Sequence, residues 1–356
     1  MIGVSLLTIN VDAAGGTLTY VRELLRSLEQ VGRHEYRVFA PAGAPAVGSS
    51  LPTTLVRGVP AGRSRPARIA GLSVGFLASS HLLRTLRSTG PDAIHFPLGV
   101  MLPRVEEPPS VTTVHDLQHE SLPQFFSRSQ RAYRRRVYGQ AVRASTIVVA
   151  ISEFVRTSIL ERYGLEPERV RVVHHGVNAE RFAPAAVARE PFVLYPANRW
   201  PHKNHARLLD AFALVRREHP GLRLVLTGAG HERSPLPPGV ESRGLVGEDE
   251  LVELYRTASA LVYPTLYEGF GLPPLEAMAC GCPVAVSRVA SLPEVCGEAA
   301  VYFDPTSVED VARGIADVLA HPPAGGREQA ARFSWEDAAR RYDAIYDEAA
   351  AARRRE

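Results

Sequence analysis

Apolar residues fall in short runs along the whole chain, and polar stretches with helical spacing separate them. The runs predict strands at residues 2–9, 37–40, 93–96, 110–114, 146–150, 170–173, 191–195, 223–227, 260–264, 283–286 and 300–303. Between them, apolar positions three and four apart predict helices at 18–31, 127–144, 153–163, 205–218, 248–257, 275–279 and 308–320. Alternation of this kind means an α/β fold, with parallel sheets covered by helices on both faces. A Pro/Ala-rich stretch at 183–191 reads as a linker, and strand–helix order restarts after it. The expectation is two doubly wound, Rossmann-like domains, at residues 1–185 and 186–335, and a tail whose last residues, 349–356, are a frayed helix end. Ligands in such folds bind at the carboxyl ends of strands, and with two domains the cleft between them is the natural site.

Composition narrows the function. At 356 residues the chain is too long for one ordinary core. A net charge of +3 does not argue for nucleic acid as a partner. Cys280, Cys282 and Cys296 have neither a zinc spacing nor a disulfide framework, and buried thiols in a reducing compartment fit them better. No run approaches the length of a membrane span, and the first ten residues read as a strand and not as a signal peptide. A cytoplasmic protein is expected.

The chemistry concentrates in Tyr263-Pro-Thr-Leu-Tyr-Glu-Gly-Phe-Gly-Leu-Pro-Pro-Leu-Glu276. A buried strand ends at Pro264, Gly269 and Gly271 allow a sharp turn, and Pro273 and Pro274 suit the first turn of a helix. Glu268 then sits at the strand end and Glu276 one turn into the helix, whose amino end would face an anion. Of the 41 basic residues, 40 are arginines and one is Lys203. A chain that otherwise uses arginine has a lysine where a compact ammonium with three rotating donors serves a phosphate oxygen; chance is the plain alternative.

Weaker features each have a dull counterpart. Gly15 and Gly16, between the first strand and the first helix, bring backbone amides close to a phosphate or simply turn the chain. His115 closes a strand and faces the cleft, and Asp116 orients it or caps the next turn. Ser152 is a helix N-cap or a site residue. Gly228-Ala-Gly230 leaves room for a base or ribose, or is a plain turn. Arg128, Arg131 and Arg135 share one face of the helix at 127–144; this is a solvated basic face, or peripheral contact with an anionic membrane or acceptor. Cys280-Gly-Cys282 has the wrong spacing for a redox pair and reads as packing.

Taken together, these residues make the chain resemble the retaining glycosyltransferases of family 4, with the two-domain GT-B fold. The most specific part is Glu268-Gly-Phe-Gly-Leu-Pro-Pro-Leu-Glu276, the family's E-x7-E motif. Gly15-Gly16, Val114-His115-Asp116, Ser152-Glu-Phe, His175-Gly-Val-Asn178, Lys203-Asn204, Ser291-Leu-Pro-Glu294 and Phe333-Ser-Trp335 support it over nearly the whole chain. The resemblance implies transfer of a hexose from a nucleoside diphosphate sugar, of the GDP-mannose or UDP-hexose class, to a hydroxyl acceptor with retained configuration. A bacterial cell-surface glycan or natural product is the setting, and the acceptor is a small molecule, a glycan or a lipid-linked sugar. By likeness Glu276 holds the ribose hydroxyls, and Glu268 contacts the donor sugar. Lys203 and the amides around Gly15 and Gly16 hold the diphosphate. Amides near Gly271 and Leu272 complete the cradle, Gly228 borders the donor, and His115 lies beside the anomeric carbon. The segment 336–356 is implied to be a helix crossing back to the first domain.

Charge growing on the leaving diphosphate needs a fixed cation and helix amides. The chain has no D-x-D cluster, so no metal and no cofactor beyond the donor substrate is expected. No second carboxylate pair supports double displacement, and a front-face reaction fits better. Where relatives carry glycine and arginine this chain has Ala197 and Asn198, with Arg199 one place late, so the second phosphate ligand is Arg199 or Asn198. Competing readings are a sugar-nucleotide-binding protein without transfer, or an epimerase or phosphorylase of related architecture. A phosphorylase would need a lysine for pyridoxal phosphate, and Lys203 is already assigned.

Overall fold

The computed structural model describes residues 1–9, 16–44, 48–57, 59, 79–230 and 235–352. Two units divide the chain: Met1–Gly176 with Trp335–Glu356, and Val177–Ser334.

In the first unit the strands are β1 (Ile2–Ser5), β2 (Tyr36–Pro41), β3 (Thr53–Val56), β4 (Ala93–Phe96), β5 (Ser110–Val114), β6 (Ile147–Ala150) and β7 (Val170–Val172). They form one parallel sheet in the order β3-β2-β1-β4-β5-β6-β7. Its central strands are buried on both faces, including the polar positions His95, Ser110, Thr112 and Thr113. Among its helices are α1 (Gly16–Val31), α2 (Ser79–Arg87), α3 (Arg128–Ala144) and α4 (Glu153–Tyr163). α1 buries Tyr20, Val21, Leu24, Leu25 and Leu28, one stripe at helical spacing. Ser127 and Gln130 form a capping box on α3, so the predicted helix 127–144 starts one residue later. Ser152 accepts a bond from the Val155 amide and caps α4, which ends on Gly164 in the left-handed region.

The second unit repeats the plan with β8 (Glu190–Pro196), β9 (Arg223–Thr227), β10 (Val240–Gly244), β11 (Ala258–Tyr263), β12 (Val284–Ser287) and β13 (Val301–Phe303). This sheet is parallel too, in the order β10-β9-β8-β11-β12-β13. Its longer helices are α5 (His205–Glu218), α6 (Glu248–Thr257), α7 (Leu272–Ala279) and α8 (Val308–Ala320). The strand order reverses between β8 and β11, and in open α/β sheets that switch point is where ligands bind.

The last helix, α9 (Trp335–Ala352), belongs to the first unit. It is held by polar bonds inside an apolar surround. Tyr342 Oη lies 2.8 Å from both Tyr20 Oη and Thr113 Oγ1. Tyr346 Oη lies 2.8 Å from His95 Nδ1, whose Nε2 is 2.8 Å from Thr113 Oγ1. Buried Asp343 accepts bonds from the Tyr36 hydroxyl and from the Arg33 amide at 2.7 Å. Every buried hydroxyl in this network has a partner, as a dry interior requires.

Several expectations shift. The first strand ends at Ser5, not at residue 9. β3 and β10 were missed because each lies at a sheet edge and is partly exposed, which leaves little apolar signal. The stretch 183–191 is no free linker. Arg256 donates to the Ala183 carbonyl, and Arg189 donates to the carbonyls of Ala258 and Gly281. The expected boundary at 185/186 therefore lies within the second unit, which starts at Val177, where the Val177 amide bonds the Phe333 carbonyl. The tail is helical through Ala352, and residues 353–356 lie outside the described residues.

Candidate functional site

Lys203 stands where the second sheet switches direction. β8 ends at Pro196, and a short 3-10 turn, Pro201–Lys203, follows. Four bonds fix that turn to its surroundings. Tyr195 Oη donates to the Lys203 carbonyl at 2.5 Å, and the Leu266 amide donates to the His202 carbonyl at 2.8 Å. Asn204, at φ 60°, donates from Nδ2 to the carbonyls of Pro264 (3.0 Å) and Pro305 (2.8 Å). The loop after β8 is thereby pinned to the loop after β11, its neighbour in the sheet.

The lysine side chain runs inward. Nζ lies 2.5 Å from Glu268 Oε1 and 2.7 Å from Tyr263 Oη, and Tyr263 Oη donates to the same carboxylate oxygen at 3.2 Å. The two charged side chains are only 11% and 14% exposed, so this is a largely buried ion pair closed by a phenol. Burial first, then the negative charge of Glu268, pushes the Tyr263 phenol far above its ordinary value. Its hydroxyl therefore keeps its proton.

The glycine turn after Glu268 is shaped by Ser291, whose Oγ donates to the carbonyls of Glu268 (3.0 Å) and Phe270 (2.8 Å). Gly271 opens α7 at φ 109°, and a Cβ there would fall 2.7 Å from Leu292 Cδ2. Both the backbone angle and the space demand glycine. Pro273 and Pro274 carry no amide hydrogen, so this amino end offers an anion fewer donors than a helix start normally does, chiefly Gly271 and Leu272. Glu276, a turn further on, is 9% exposed, and Tyr255 on α6 donates to its Oε2 at 2.9 Å. Burial and the Glu276 charge together hold the Tyr255 phenol well up as a neutral donor.

Across the sheet, Asn198 Oδ1 accepts a bond from the Ala229 amide at 2.7 Å, and the Arg199 amide donates to the Ala229 carbonyl at 2.9 Å. A Cβ on Gly228 would meet the Ala197 and Asn198 backbone at 2.7–2.8 Å. Gly228 thus serves the close approach of two strand-end loops, in line with the plain-turn alternative. The Arg199 side chain is exposed.

In the first unit His115 follows β5. Its Nε2–H donates to the Pro97 carbonyl at 2.8 Å, because a carbonyl can only accept, so Nδ1 carries the lone pair. Burial lowers its pKa and keeps the ring neutral. The Tyr20 ring meets it edge-on at 4.7 Å, and His175 lies 5.6 Å away, stacked in turn on Trp335 at 5.4 Å. Asp116 Oδ1 accepts from the Gln118 amide at 3.0 Å, which closes the turn just before the short helix Gln118–Ser121. Gly16 opens α1, and Gly15 lies outside the described residues. Arg135 is not part of an unengaged basic face. It donates twice to Glu120, at 2.8 and 2.7 Å. The three cysteines are buried and unpaired, with their thiols pushed up to about 12 by burial. Among the described residues there is no His/Cys/Asp/Glu cluster fit for a metal, and no helix is long and apolar enough to cross a membrane.

Sequence reasoning brought Lys203, Glu268 and Glu276 to one unit but did not give roles to Tyr263 or Tyr255. The available signal was an apolar strand ending in an aromatic residue with a polar tip.

The family models described as Glycosyltransferase Family 4 and Glycosyl transferases group 1 match residues 14–181 and 177–340. A D-inositol 3-phosphate glycosyltransferase of Saccharomonospora viridis is 32% identical over 390 residues, covering 95% of this chain and 90% of the relative. O-antigen chain mannosyltransferase B of Escherichia coli is 30% identical over 257 residues, covering 64% of this chain and 67% of the relative. Among solved structures, Anabaena HepE in complex with UDP and glucose superposes with a TM-score of 0.72 over 98% of this chain and 99% of that one. Their identity is 16%, so this likeness concerns the GT-B fold alone.

Proposed function

Since the chain belongs to glycosyltransferase family 4, we propose that it is a retaining, metal-independent hexosyltransferase. It takes a hexose from a nucleoside diphosphate sugar, of the GDP-mannose or UDP-hexose class, to a hydroxyl acceptor in cell-surface glycan or natural-product synthesis. The observation that carries this reading is the Lys203 ammonium, held by Glu268 and Tyr263 at the switch point of the second sheet. The O-antigen mannosyltransferase relative and the UDP and glucose in the Anabaena neighbour support the donor class.

The bond between the anomeric carbon and the phosphate oxygen breaks, and its electron pair leaves with the diphosphate. Lys203 and the amides near Gly271 and Leu272 stabilise the charge that collects there. The acceptor oxygen bonds the anomeric carbon on the face that the diphosphate leaves, and its proton passes to a phosphate oxygen. Glu268 orients the sugar hydroxyls, and Glu276, steadied by Tyr255, takes the ribose. His115 is neutral, so it presents no second cation to the sugar. Arg199, whose planar guanidinium fits a phosphate, is the proposed second phosphate ligand, while Asn198 Oδ1 accepts from the Ala229 amide. Any peripheral membrane contact of α3 would rest on Arg128 and Arg131.

The test is incubation with a panel of nucleotide sugars and acceptors, scoring nucleoside diphosphate release and the product's anomeric configuration by NMR. Release with an inverted product would refute retention. Donor binding with no release for any acceptor would favour a binding protein.

A further inference from the structure

Lys203, Tyr263 and Glu268 form a closed triangle in which the ammonium donates to both oxygens and the phenol donates to the carboxylate. In this arrangement Glu268 is committed to Lys203. A carboxylate that turns to donor sugar hydroxyls must release at least part of that hold. The lysine then needs another anchor, or it follows the carboxylate away from the phosphate.

Tyr263 supplies that anchor. It is the last residue of β11 and only 1% exposed. Its ring stands at 78° to the Tyr195 ring with centroids 5.6 Å apart, and its carbonyl accepts a bond from Ser287 Oγ at 3.2 Å. A ring so enclosed cannot swing with a ligand, whereas the Lys203 and Glu268 side chains retain some exposure. Nζ also lies 4.9 Å from the Tyr263 ring centre, within cation–π range. An ammonium has three N–H donors; two serve Glu268 and Tyr263, which leaves one for a phosphate oxygen.

We infer that Tyr263 is a positioning residue for the donor: its fixed hydroxyl keeps the Lys203 ammonium on the diphosphate when Glu268 turns to the sugar. This rests on the reading of Lys203 as the diphosphate ligand. The sugar matters to the inference. With a bare nucleoside diphosphate Glu268 stays on Lys203 and Tyr263 is nearly redundant; with a sugar nucleotide Tyr263 becomes necessary.

The test is calorimetric titration of wild type, Y263F, K203A and the double variant with UDP-glucose and GDP-mannose, using UDP and GDP as sugar-free counterparts. Phenylalanine keeps the ring and removes only the hydroxyl. Y263F is expected to weaken the sugar nucleotide about tenfold, the value of one hydrogen bond to a charged group, and the bare diphosphate much less. In the K203A background Y263F should add no further loss. Equal weakening of sugar nucleotide and diphosphate, wild-type affinity in Y263F, or an additive loss in K203A would each overturn the inference while leaving Lys203 its role. Wild-type affinity in K203A would remove the diphosphate reading and this inference with it. As a second measure, Y263F in a Glu268→Gln background should cost the bare diphosphate more than it does alone, since the carboxylate no longer holds the ammonium. A smaller cost there would also overturn the inference.

Discussion

Replacing Lys203 with alanine removes a cation whose partner is largely shielded from water. The Glu268 side chain is 14% exposed, and with the ammonium gone Tyr263 is its one remaining side-chain donor among the bonds described above. Breaking a buried pair by deleting one member typically costs 3–5 kcal/mol, and the slight exposure of this pair places the expectation near the lower end, at about 3 kcal/mol. Activity should fall about a hundredfold in addition, as the leaving diphosphate loses its fixed cation. The two effects separate in a second variant. Lys203→Ala with Glu268→Gln has no stranded charge, so it should recover about 2 kcal/mol of the loss without recovering turnover. Denaturant unfolding reads the first effect, and nucleoside diphosphate release reads the second. A Lys203→Ala midpoint equal to wild type, or a double variant no more stable than the single one, would refute the account of this pair as buried and mutually dependent. Lys203→Arg should also fail, because a planar fork does not fit a corner shaped for a point charge between Tyr263 and Glu268.

Other outcomes follow from the same geometry. Glu276→Ala should weaken nucleoside diphosphate binding about tenfold by calorimetry and leave kcat nearly unchanged, since ribose contacts are alike in ground and transition states; unchanged affinity would remove the ribose role. Gly271→Ala puts a side chain at φ 109° and a Cβ 2.7 Å from Leu292; a loss of about 2 kcal/mol in unfolding and a raised donor KM are expected. His95, buried between Thr113 and Tyr346, has its pKa lowered from 6.5 to about 3 by burial. The unfolded chain therefore binds a proton that the native state refuses. The stability from this group is fully present above pH 6.5 and is lost as pH falls from 6.5 toward 3, at about 1.4 kcal/mol per pH unit. Denaturant midpoints at pH 7 and pH 5 measure the slope, and His95→Gln should reduce it by about one proton; an unaltered slope would contradict a neutral His95.

The alternation of apolar runs and helical stripes was enough to read two parallel sheets, because buried central strands such as β6 are apolar throughout. Edge strands β3 and β10 escaped because half their surface meets water. The triangle at Lys203 escaped for another reason. Lys203 and Glu268 are 65 residues apart, and only the adjacency of β8 and β11 makes them neighbours. Local pattern marks both as notable and cannot pair them. Arg135 misled in the same way: helical spacing places it on a basic face, whereas Glu120, outside α3, claims it. Gly228 reads in sequence as room for a base or ribose or as a plain turn, and the structure adds how closely the Ala197–Asn198 backbone approaches it.

The grouping of α9 with residues 1–176 bears on how the protein is made. As a ribosome releases the chain, Tyr20, Thr113 and His95 emerge long before Tyr342 and Tyr346, the hydroxyls that complete their bonds. The amino-terminal sheet must wait, with polar groups unsealed, while the whole intervening unit is synthesised. A chain ending after residue 334 and before residue 342 would carry a complete second unit beside an unfinished first one, and proteases should find the unfinished one first.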